Sequence, residues 1–106
     1  MKKRNLFSER VLELVLSIPK GRVTTYGRIA RQAGGGTMAA QSITAILWKA
    51  EQRGVKNIPY HRIVYADGRI WVDPKRRGER LALYKKEGIQ IGKDDKVVDF
   101  KKKLPQ

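Results

Sequence analysis

The sequence has no cysteine and only one histidine among its 106 residues. Without cysteine the chain forms no disulfide framework, offers no thiolate ligand to zinc and carries no thiol nucleophile. A single histidine does not assemble a zinc site, so we expect neither a metal nor another cofactor. The function therefore has to come from chemistry that uses no sulfur.

Long apolar runs are missing as well. No stretch approaches the roughly 20 apolar residues of a membrane span. Ser8, Glu9 and Arg10 fall where a signal peptide needs an unbroken apolar segment. We therefore expect an intracellular protein that is either cytoplasmic and associated with the nucleoid, or nuclear, and that is not secreted. We also expect that it has no membrane partner and acts as a monomer.

Acidic residues are scarce: 10 Asp and Glu stand against 24 Lys and Arg, which gives a formal net charge of +14. Such a charge on a folded domain points first to a polyanion, most often nucleic acid. A ribosome-like or membrane-surface basic protein remains an alternative from charge alone. The length allows one core, so we expect a single domain over residues 1–106, with a core at about 6–91 and a basic tail at 93–106.

Helical spacing of apolar residues predicts three helices in the first half of the chain. The first covers residues 7–18 and ends at Pro19. A short second helix ends near Gln32, and the glycines 34–36 follow as a flexible joint. The third helix runs from about 38 to 53, with Thr37 as a candidate N-cap and Gly54 just past its end.

The outward face of the third predicted helix is nearly flat, because small or uncharged residues occupy its N-terminal half. These residues are Ala39, Ala40, Gln41, Thr44 and Ala45. A short helix, a tight joint and a longer helix with a flat face indicate a helix-turn-helix, whose second helix lies in a DNA groove. Segment 20–31 has four basic residues and no acidic one, which favours DNA over an ordinary helical hairpin.

The second half of the chain has a different pattern. Residues 63–65 and 70–72 flank an Asp67-Gly68 turn and predict a short β-hairpin. Residues 69–80 are predicted as a basic loop, a last helix covers about 79–87 before Gly88, and the tail from Lys93 is predicted to be frayed. The expected fold class is a mainly α, winged-helix-like helix-turn-helix domain with a short β-hairpin.

Four blocks of sequence carry a resemblance to a known family. In order they are IPKGRVTTYGRIA, AAQSITAIL, IPYHRIVYADGRI and ERLALYKKEGI. Over roughly residues 6 to 91 the chain resembles the DNA-binding domain of the O6-alkylguanine-DNA alkyltransferases. In that family the third block reads Pro-Cys-His-Arg, and its cysteine takes the alkyl group from the damaged guanine.

Tyr60 stands at the acceptor position, so the resemblance is to the alkyltransferase-like branch, which lacks the cysteine and usually has tryptophan there. A thiolate assisted by histidine is a soft nucleophile near neutral pH, whereas a phenol, with a reference pKa of about 10, is a poorer one. We therefore expect no catalytic residue. His61 and Glu87 match the pair that activates the cysteine and are expected to remain as a hydrogen-bonded scaffold.

The resemblance also implies that the third helix enters the minor groove while the damaged nucleotide rotates out of the duplex. Tyr26 matches the tyrosine that helps rotate the phosphate. The residues expected to contact DNA are Arg22, Thr25, Tyr26, Arg28, Ala39, Ala40, Gln41, Ser42, Thr44 and Lys75. The expected lesion pocket consists of Tyr26, Tyr60, Arg62, Val64, Trp71 and Arg76.

Gln41 is a second departure, because the family has an arginine that fills the stack vacated by the flipped base. Glutamine is shorter and uncharged but still forms hydrogen bonds, so we expect flipping to persist with reduced affinity. The alternative for Gln41 is an exposed helix residue without a role.

The sequence thus favours non-enzymatic recognition of O6-alkylguanine in double-stranded DNA, with the lesion flagged to nucleotide excision repair proteins. Two alternatives stay open. One is an alkyl-transferring or hydrolysing enzyme that uses Tyr60 with His61. The other is a basic transcription or nucleoid protein that binds undamaged DNA, although such a protein more naturally places several base-reading side chains on its recognition helix.

Overall fold

The computed structural model describes residues 6–35 and 37–104, and these are mainly helical with a small two-stranded sheet. The helices and strands are α1 (Leu6–Leu16), β1 (Thr24–Thr25), α2 (Tyr26–Gln32), α3 (Ile43–Gln52), β2 (Ile63–Val64), α4 (Arg77–Lys86) and α5 (Phe100–Lys103). Short 3-10 segments cover Thr37–Ser42, Tyr60–Arg62, Pro74–Arg76 and Lys93–Asp95. The predicted mainly helical fold class is confirmed. Within the described ranges, no helix has the length and hydrophobicity needed to cross a membrane.

The described residues form two compact units, one from 6–17, 26–35 and 37–59, the other from 18–25 and 60–104. In the first unit, α1 contacts both α2 and α3. Val11 and Val15 of α1 and Leu47 of α3 are completely buried. The apolar spacing predicted for the first helix therefore does form the core side of α1 at Val11 and Val15, but the helix ends at Leu16 and does not reach the predicted residue 18. Because α2 has only seven residues, this packing rather than its own helical propensity stabilises it.

The joint after α2 makes hydrogen bonds and close packing contacts at Gly34 and Gly35, and its predicted flexibility stays a prediction. Gly34 has φ +91°, and the N–H of Gly35 donates to the carbonyl of Ala30 at 2.8 Å. A Cβ added at Gly35 would lie 2.6 Å from the Cβ of Ala39 and 2.7 Å from a ring carbon of Phe7. Gly36 lies outside the described residues.

The third predicted helix is α-helical only from Ile43, because Thr37–Ser42 wind as a 3-10 helix instead. Tight 3-10 turns are common at the start of α-helices. Ser42 takes the N-cap position and makes no side-chain capping bond. The predicted end is confirmed: Gly54 has φ +102°, and the N–H of Val55 donates to the carbonyl of Ala50 at 3.1 Å.

The strand pairing in the second unit differs from the predicted hairpin. The turn itself forms, with Gly68 at φ +90° and the N–H of Tyr65 donating to the carbonyl of Arg69 at 2.9 Å. However, β2 pairs in parallel with β1, in the register Thr24 with Ile63 and Thr25 with Val64. The N–H of Ile70 donates to the carbonyl of Asp95 at 2.8 Å instead. An isolated hairpin is marginal, and distant segments satisfy its backbone groups here.

The C-terminal tail belongs to the core of the second unit, so the prediction that it is frayed is wrong. Val97 is 4% exposed, and half-buried Phe100 packs against the same cluster. The other buried members are Val23, Val64, Ile70, Tyr84 and Ile89. The carbonyl of Lys103 accepts a 2.9 Å hydrogen bond from the N–H of Val23. The apolar residues Val97 and Phe100, which lie among lysines in the sequence, thus pack the tail against the core of the second unit. Residues 105 and 106 lie outside the described chain.

Helix α4 begins at Arg77, so the last four residues of the predicted loop at 69–80 are α-helical. Asp73 caps the 3-10 turn before it by accepting a hydrogen bond from the N–H of Lys75 at 3.0 Å. At the other end, Gly88 has φ +76°, and the N–H of Ile89 donates to the carbonyl of Tyr84 at 2.9 Å. This confirms the predicted helix end and leaves Glu87 as the last residue before the turn.

Candidate functional site

The outward face at the start of the third helix is small and uncharged. Gln41, Ser42 and Thr44 are exposed, whereas Ala39 and Ala40 are half-buried, and residues 39–46 include no charged side chain. The DNA minor groove is only about 6 Å wide, so a helix that enters it needs small side chains on its leading face. The structure therefore presents the predicted groove-facing residues on a surface that suits a close approach.

Gln41 also lines an open groove between α1 and α3 with a volume of about 890 Å³. Its apolar wall is formed by Phe7, Leu12, Ala45 and Ile46. Since Gln41 is exposed beside this space, a longer side chain at the same position has room to extend. Tyr26 and Arg28, the other predicted DNA contacts of this unit, lie half-buried on α2.

In the second unit, Tyr60, His61 and Arg62 form one 3-10 turn that leads directly into β2. Glu87 reaches this turn from the end of α4. The Oε2 atom of Glu87 lies 2.8 Å from Nε2 of His61. The imidazole also meets the buried ring of Tyr84 edge to face, with the ring centres 5.9 Å apart. The predicted pairing of His61 with Glu87 is thus present in the structure.

Arg62 holds the same carboxylate from a second direction. Its Nη2 donates to Oε2 of Glu87 at 2.7 Å and its Nε donates to Oε1 at 3.0 Å, a two-pronged contact that fixes the carboxylate plane. The remaining Nη1 donates to the backbone carbonyl of Ile18 at 2.9 Å. The guanidinium therefore ties the end of α4 to the turn that follows α1.

A third donor completes the surroundings of Glu87: the backbone N–H of Gly21 donates to Oε1 at 3.2 Å. Burial raises the pKa of Glu87, but the hydrogen bonds from Arg62, His61 and Gly21 outweigh it and lower the pKa from 4.5 to about 2. The carboxyl group is therefore ionised throughout the neutral range. An ionised carboxylate only accepts hydrogen bonds, so Nε2 of His61 donates to Glu87.

A histidine oriented in this way is the usual partner of an activated nucleophile. The residue preceding it in the 3-10 turn is Tyr60, whose side chain is half-buried. The arrangement thus combines a histidine and an orienting carboxylate with a neighbouring phenol. No cysteine exists anywhere in the sequence to replace that phenol.

The remaining predicted site residues are spread over the second unit. Thr25 is buried in β1, and Val64 is 1% exposed and belongs to the core cluster. Trp71 is 54% exposed, and Arg22, Lys75 and Arg76 are exposed as well. The roles assigned to these residues stay predictions. Among the described residues, no cluster of His, Asp and Glu is arranged to hold a metal ion.

No pattern in the sequence indicates the backbone groups that bind Glu87 and Arg62, which are the N–H of Gly21 and the carbonyl of Ile18. The Pro19-Lys20-Gly21 pattern indicates a turn, and Gly21 does have φ +82°. Nothing in that pattern indicates that its N–H donates to a carboxylate 66 residues further along. The hydrogen bond from Arg62 to the carbonyl of Ile18 likewise depends on tertiary contacts, as does the ion pair of Arg62 with Glu87.

Comparison with known proteins gives relatives along most of the chain. It is 35% identical over 92 residues to the DNA base-flipping protein of Escherichia coli, covering 86% of this chain and 68% of the relative. It is 30% identical over 105 residues to alkyltransferase-like protein 1 of Schizosaccharomyces pombe, covering 94% and 91%.

Solved structures show the same fold. The S. pombe Atl1 complex with damaged DNA containing O6-carboxymethylguanine superposes with a TM-score of 0.74 at 23% identity, covering 100% of this chain and 99% of that one. The crystal structure of a Mycobacterium tuberculosis OGT variant gives a TM-score of 0.57 at 26% identity, covering 83% and 52%.

The family model for the DNA-binding domain of 6-O-methylguanine DNA methyltransferase matches residues 6–89. That match includes the helix-turn-helix segment, the Tyr60–Arg62 turn and Glu87. This chain belongs to the family of the 6-O-methylguanine DNA methyltransferase DNA-binding domain.

Proposed function

We propose that this protein binds O6-alkylguanine in duplex DNA, takes the flipped base into a pocket beside Tyr60 and leaves the alkyl group in place. The observation that carries the proposal is the His61–Glu87 pair, which is hydrogen-bonded at 2.8 Å beside a residue that is not a thiol. The scaffold of a transferase site is intact while its acceptor is replaced. Recognition therefore persists without a covalent step.

The first unit supports the DNA-binding part of the proposal. The uncharged face of residues 39–46 suits a narrow groove, and the net charge of +14 provides the attraction to phosphates. A transcription factor that reads bases in the major groove needs several donors and acceptors along its recognition helix. Gln41 alone does not supply such a set, which favours minor-groove binding.

Two relatives support recognition without repair chemistry. One carries the name DNA base-flipping protein, and the other, alkyltransferase-like protein 1 of S. pombe, has the Atl1 structure with O6-carboxymethylguanine DNA among its solved forms. For this chain we infer the same substrate class. Flipping costs a few kcal/mol and costs less at a weakened base pair, which contributes to selectivity for damaged guanine.

A protein that binds a lesion and does not remove it acts through the complex that it forms. We therefore propose that the complex flags the lesion to nucleotide excision repair proteins and that the protein acts as a monomer where the DNA is, at the nucleoid or in the nucleus. Pull-down of purified excision-repair proteins on lesion DNA, with and without this protein, tests the recruitment step separately from binding.

The proposed recognition is tested by titrating the protein with two duplexes that differ only in one O6-methylguanine. We expect tighter binding to the lesion duplex and an unchanged intact protein mass after long incubation. Equal affinity for both duplexes would leave a basic DNA-binding domain without lesion recognition. A gain of one methylene group in mass would instead identify an alkyl-transferring enzyme.

A further inference from the structure

Helix α3 changes character halfway along its outward face. The first half presents small or uncharged residues, of which Thr44 and Ala45 are exposed. The next outward residue is Trp48, whose side chain is 56% exposed although tryptophan is the largest apolar residue type. Isolated exposed apolar residues are ordinary on protein surfaces, so exposure alone assigns no role to Trp48. The position of Trp48 on α3 is what indicates a role.

Trp48 lies four residues after Thr44, which places the two side chains one above the other on the same helix face. At a rise of about 1.5 Å per residue, they are about 6 Å apart along the axis. The core residues Ile43, Leu47 and Ala50 occupy the other side of α3. Trp48 therefore continues the face that the proposed function directs at the DNA.

The charges of the segment that contains Trp48 fit the same partner. Lys49 and Arg53 are exposed, and Glu51 is the only acidic residue in the sequence between residues 37 and 66. An exposed apolar ring on a mainly basic segment suits a surface that is apolar in its sugars and anionic in its phosphates. This pattern favours nucleic acid over a second copy of this basic chain, which the net charge of +14 repels.

We propose that Trp48 is a DNA-contacting residue whose indole packs against the deoxyribose wall of the minor groove, one helical turn beyond Thr44. The proposal rests on the proposed DNA binding but not on lesion recognition. The small residues let the start of the helix enter a groove about 6 Å wide, and an indole does not fit inside beside a helix. Trp48 thus meets the edge of the groove and limits how far the helix enters.

A contact to the sugar wall is independent of base identity and of damage. Removing it weakens binding to damaged and undamaged duplexes by the same factor, and the preference for the lesion is retained. Because the indole is uncharged, the slope of log K against log salt also stays the same. Loss of a pocket residue would change the preference, and loss of a phosphate contact would change the slope.

The test measures Trp48→Ala and Trp48→Phe against the two matched duplexes, one with a single O6-methylguanine. The control is Leu16→Ala, which truncates a 46% exposed apolar residue on α1 of the same unit. We expect Trp48→Ala to weaken binding to both duplexes by about tenfold, and Trp48→Phe to recover part of the loss because it keeps an aromatic face. Leu16→Ala should bind as the unchanged protein does.

Unchanged affinity of Trp48→Ala for both duplexes would overturn the proposal. It would also be overturned if Trp48→Ala lowered the oligomeric state in sedimentation without DNA, since the partner would then be a second copy. Thermal unfolding of each variant separates lost contact from lost fold. If the unchanged protein binds both duplexes equally, the proposed lesion recognition fails while the Trp48 contact is still measured on undamaged DNA.

Discussion

Arg62 and Glu87 form a two-pronged ion pair in which Nη2 lies 2.7 Å from Oε2 and Nε lies 3.0 Å from Oε1. The two side chains are 14% and 8% exposed, so solvent screens the pair little. The same carboxylate also orients His61 and accepts from Gly21. Together these contacts tie Glu87 to the turn that carries Tyr60.

Replacing Glu87 by Gln should make the stability of the protein less sensitive to acid. The pKa of Glu87 is lowered from 4.5 to about 2 in the folded state, so its stabilising contribution is complete above about pH 4.5 and is lost as the pH falls through 2. The shift corresponds to a contribution on the order of 3 kcal/mol at neutral pH. Urea unfolding of Glu87→Gln should show a loss of this order at pH 7 and a flatter profile between pH 5 and about 2.

A suitable control for that experiment is Asp95→Asn. Asp95 also has a pKa lowered by its hydrogen bonds with Arg77, but both side chains are substantially exposed. Surface pairs contribute little, so this variant should leave the pH profile almost unchanged. Equal effects of the two substitutions would contradict the special position of Glu87.

Substitutions at Gln41 should change lesion affinity in opposite directions. The groove of about 890 Å³ beside this residue leaves room for a longer side chain. Gln41→Arg should bind lesion DNA more tightly because it restores charge and reach, and Gln41→Ala should bind more weakly, each by about 1 kcal/mol. The measurement is a titration with O6-methylguanine duplex; three equal affinities would show that the side chain does not enter the stack.

DNA binding should depend strongly on salt. With about four to six phosphate contacts, from residues such as Arg22, Arg28 and Lys75, the slope of log K against log salt should be about −4 to −5. Titrations between roughly 50 and 200 mM salt give this slope. Lys75→Gln should reduce it by about one unit, since each phosphate contact contributes about 0.9. A slope near zero would exclude a polyanion as the partner.

Tyr60→Cys should place a thiol beside the oriented imidazole of His61 and restore slow alkyl transfer from O6-methylguanine. Intact-mass measurement would detect the transfer as a gain of one methylene group. The unchanged protein should show no gain, because a phenol is a poor nucleophile. Tyr65→Cys, at a 41% exposed tyrosine after β2, provides a thiol elsewhere and should remain unmodified. Transfer to the unchanged protein would contradict the non-enzymatic assignment.

The packed C-terminal segment should matter for stability. Val97 is 4% exposed within the core of the second unit, so Val97→Ala should lower the free energy of unfolding by about 2 kcal/mol. Its neighbour Val98 is only half-buried, and Val98→Ala should cost clearly less. Chemical denaturation of both variants makes the comparison. Equal, negligible losses would mean that the tail does not contribute to the core.

The local pattern of the sequence determined the elements of this protein that depend on near neighbours. The stripe through Val11 and Val15 defines α1, and Gly54 and Gly88 end their helices because a left-handed turn costs glycine least. The Pro-Tyr-His-Arg block together with Glu87 was enough to predict the pairing that the structure shows at 2.8 Å. That prediction came from resemblance to a family, because the spacing of residues does not by itself indicate that His61 contacts Glu87, 26 positions further along the chain.

Tertiary contacts decided the rest, and in each case the partner is distant in sequence. Strand β2 pairs with β1 instead of with 70–72, and Val97 enters the core although lysines surround it in the sequence. Arg62 was predicted as a pocket residue, yet its guanidinium binds Glu87 and the carbonyl of Ile18. Backbone polar groups and charged side chains need hydrogen-bond or ion-pair partners when they are buried. Which partner each group has depends on how distant segments pack together, and the local sequence pattern does not contain that information.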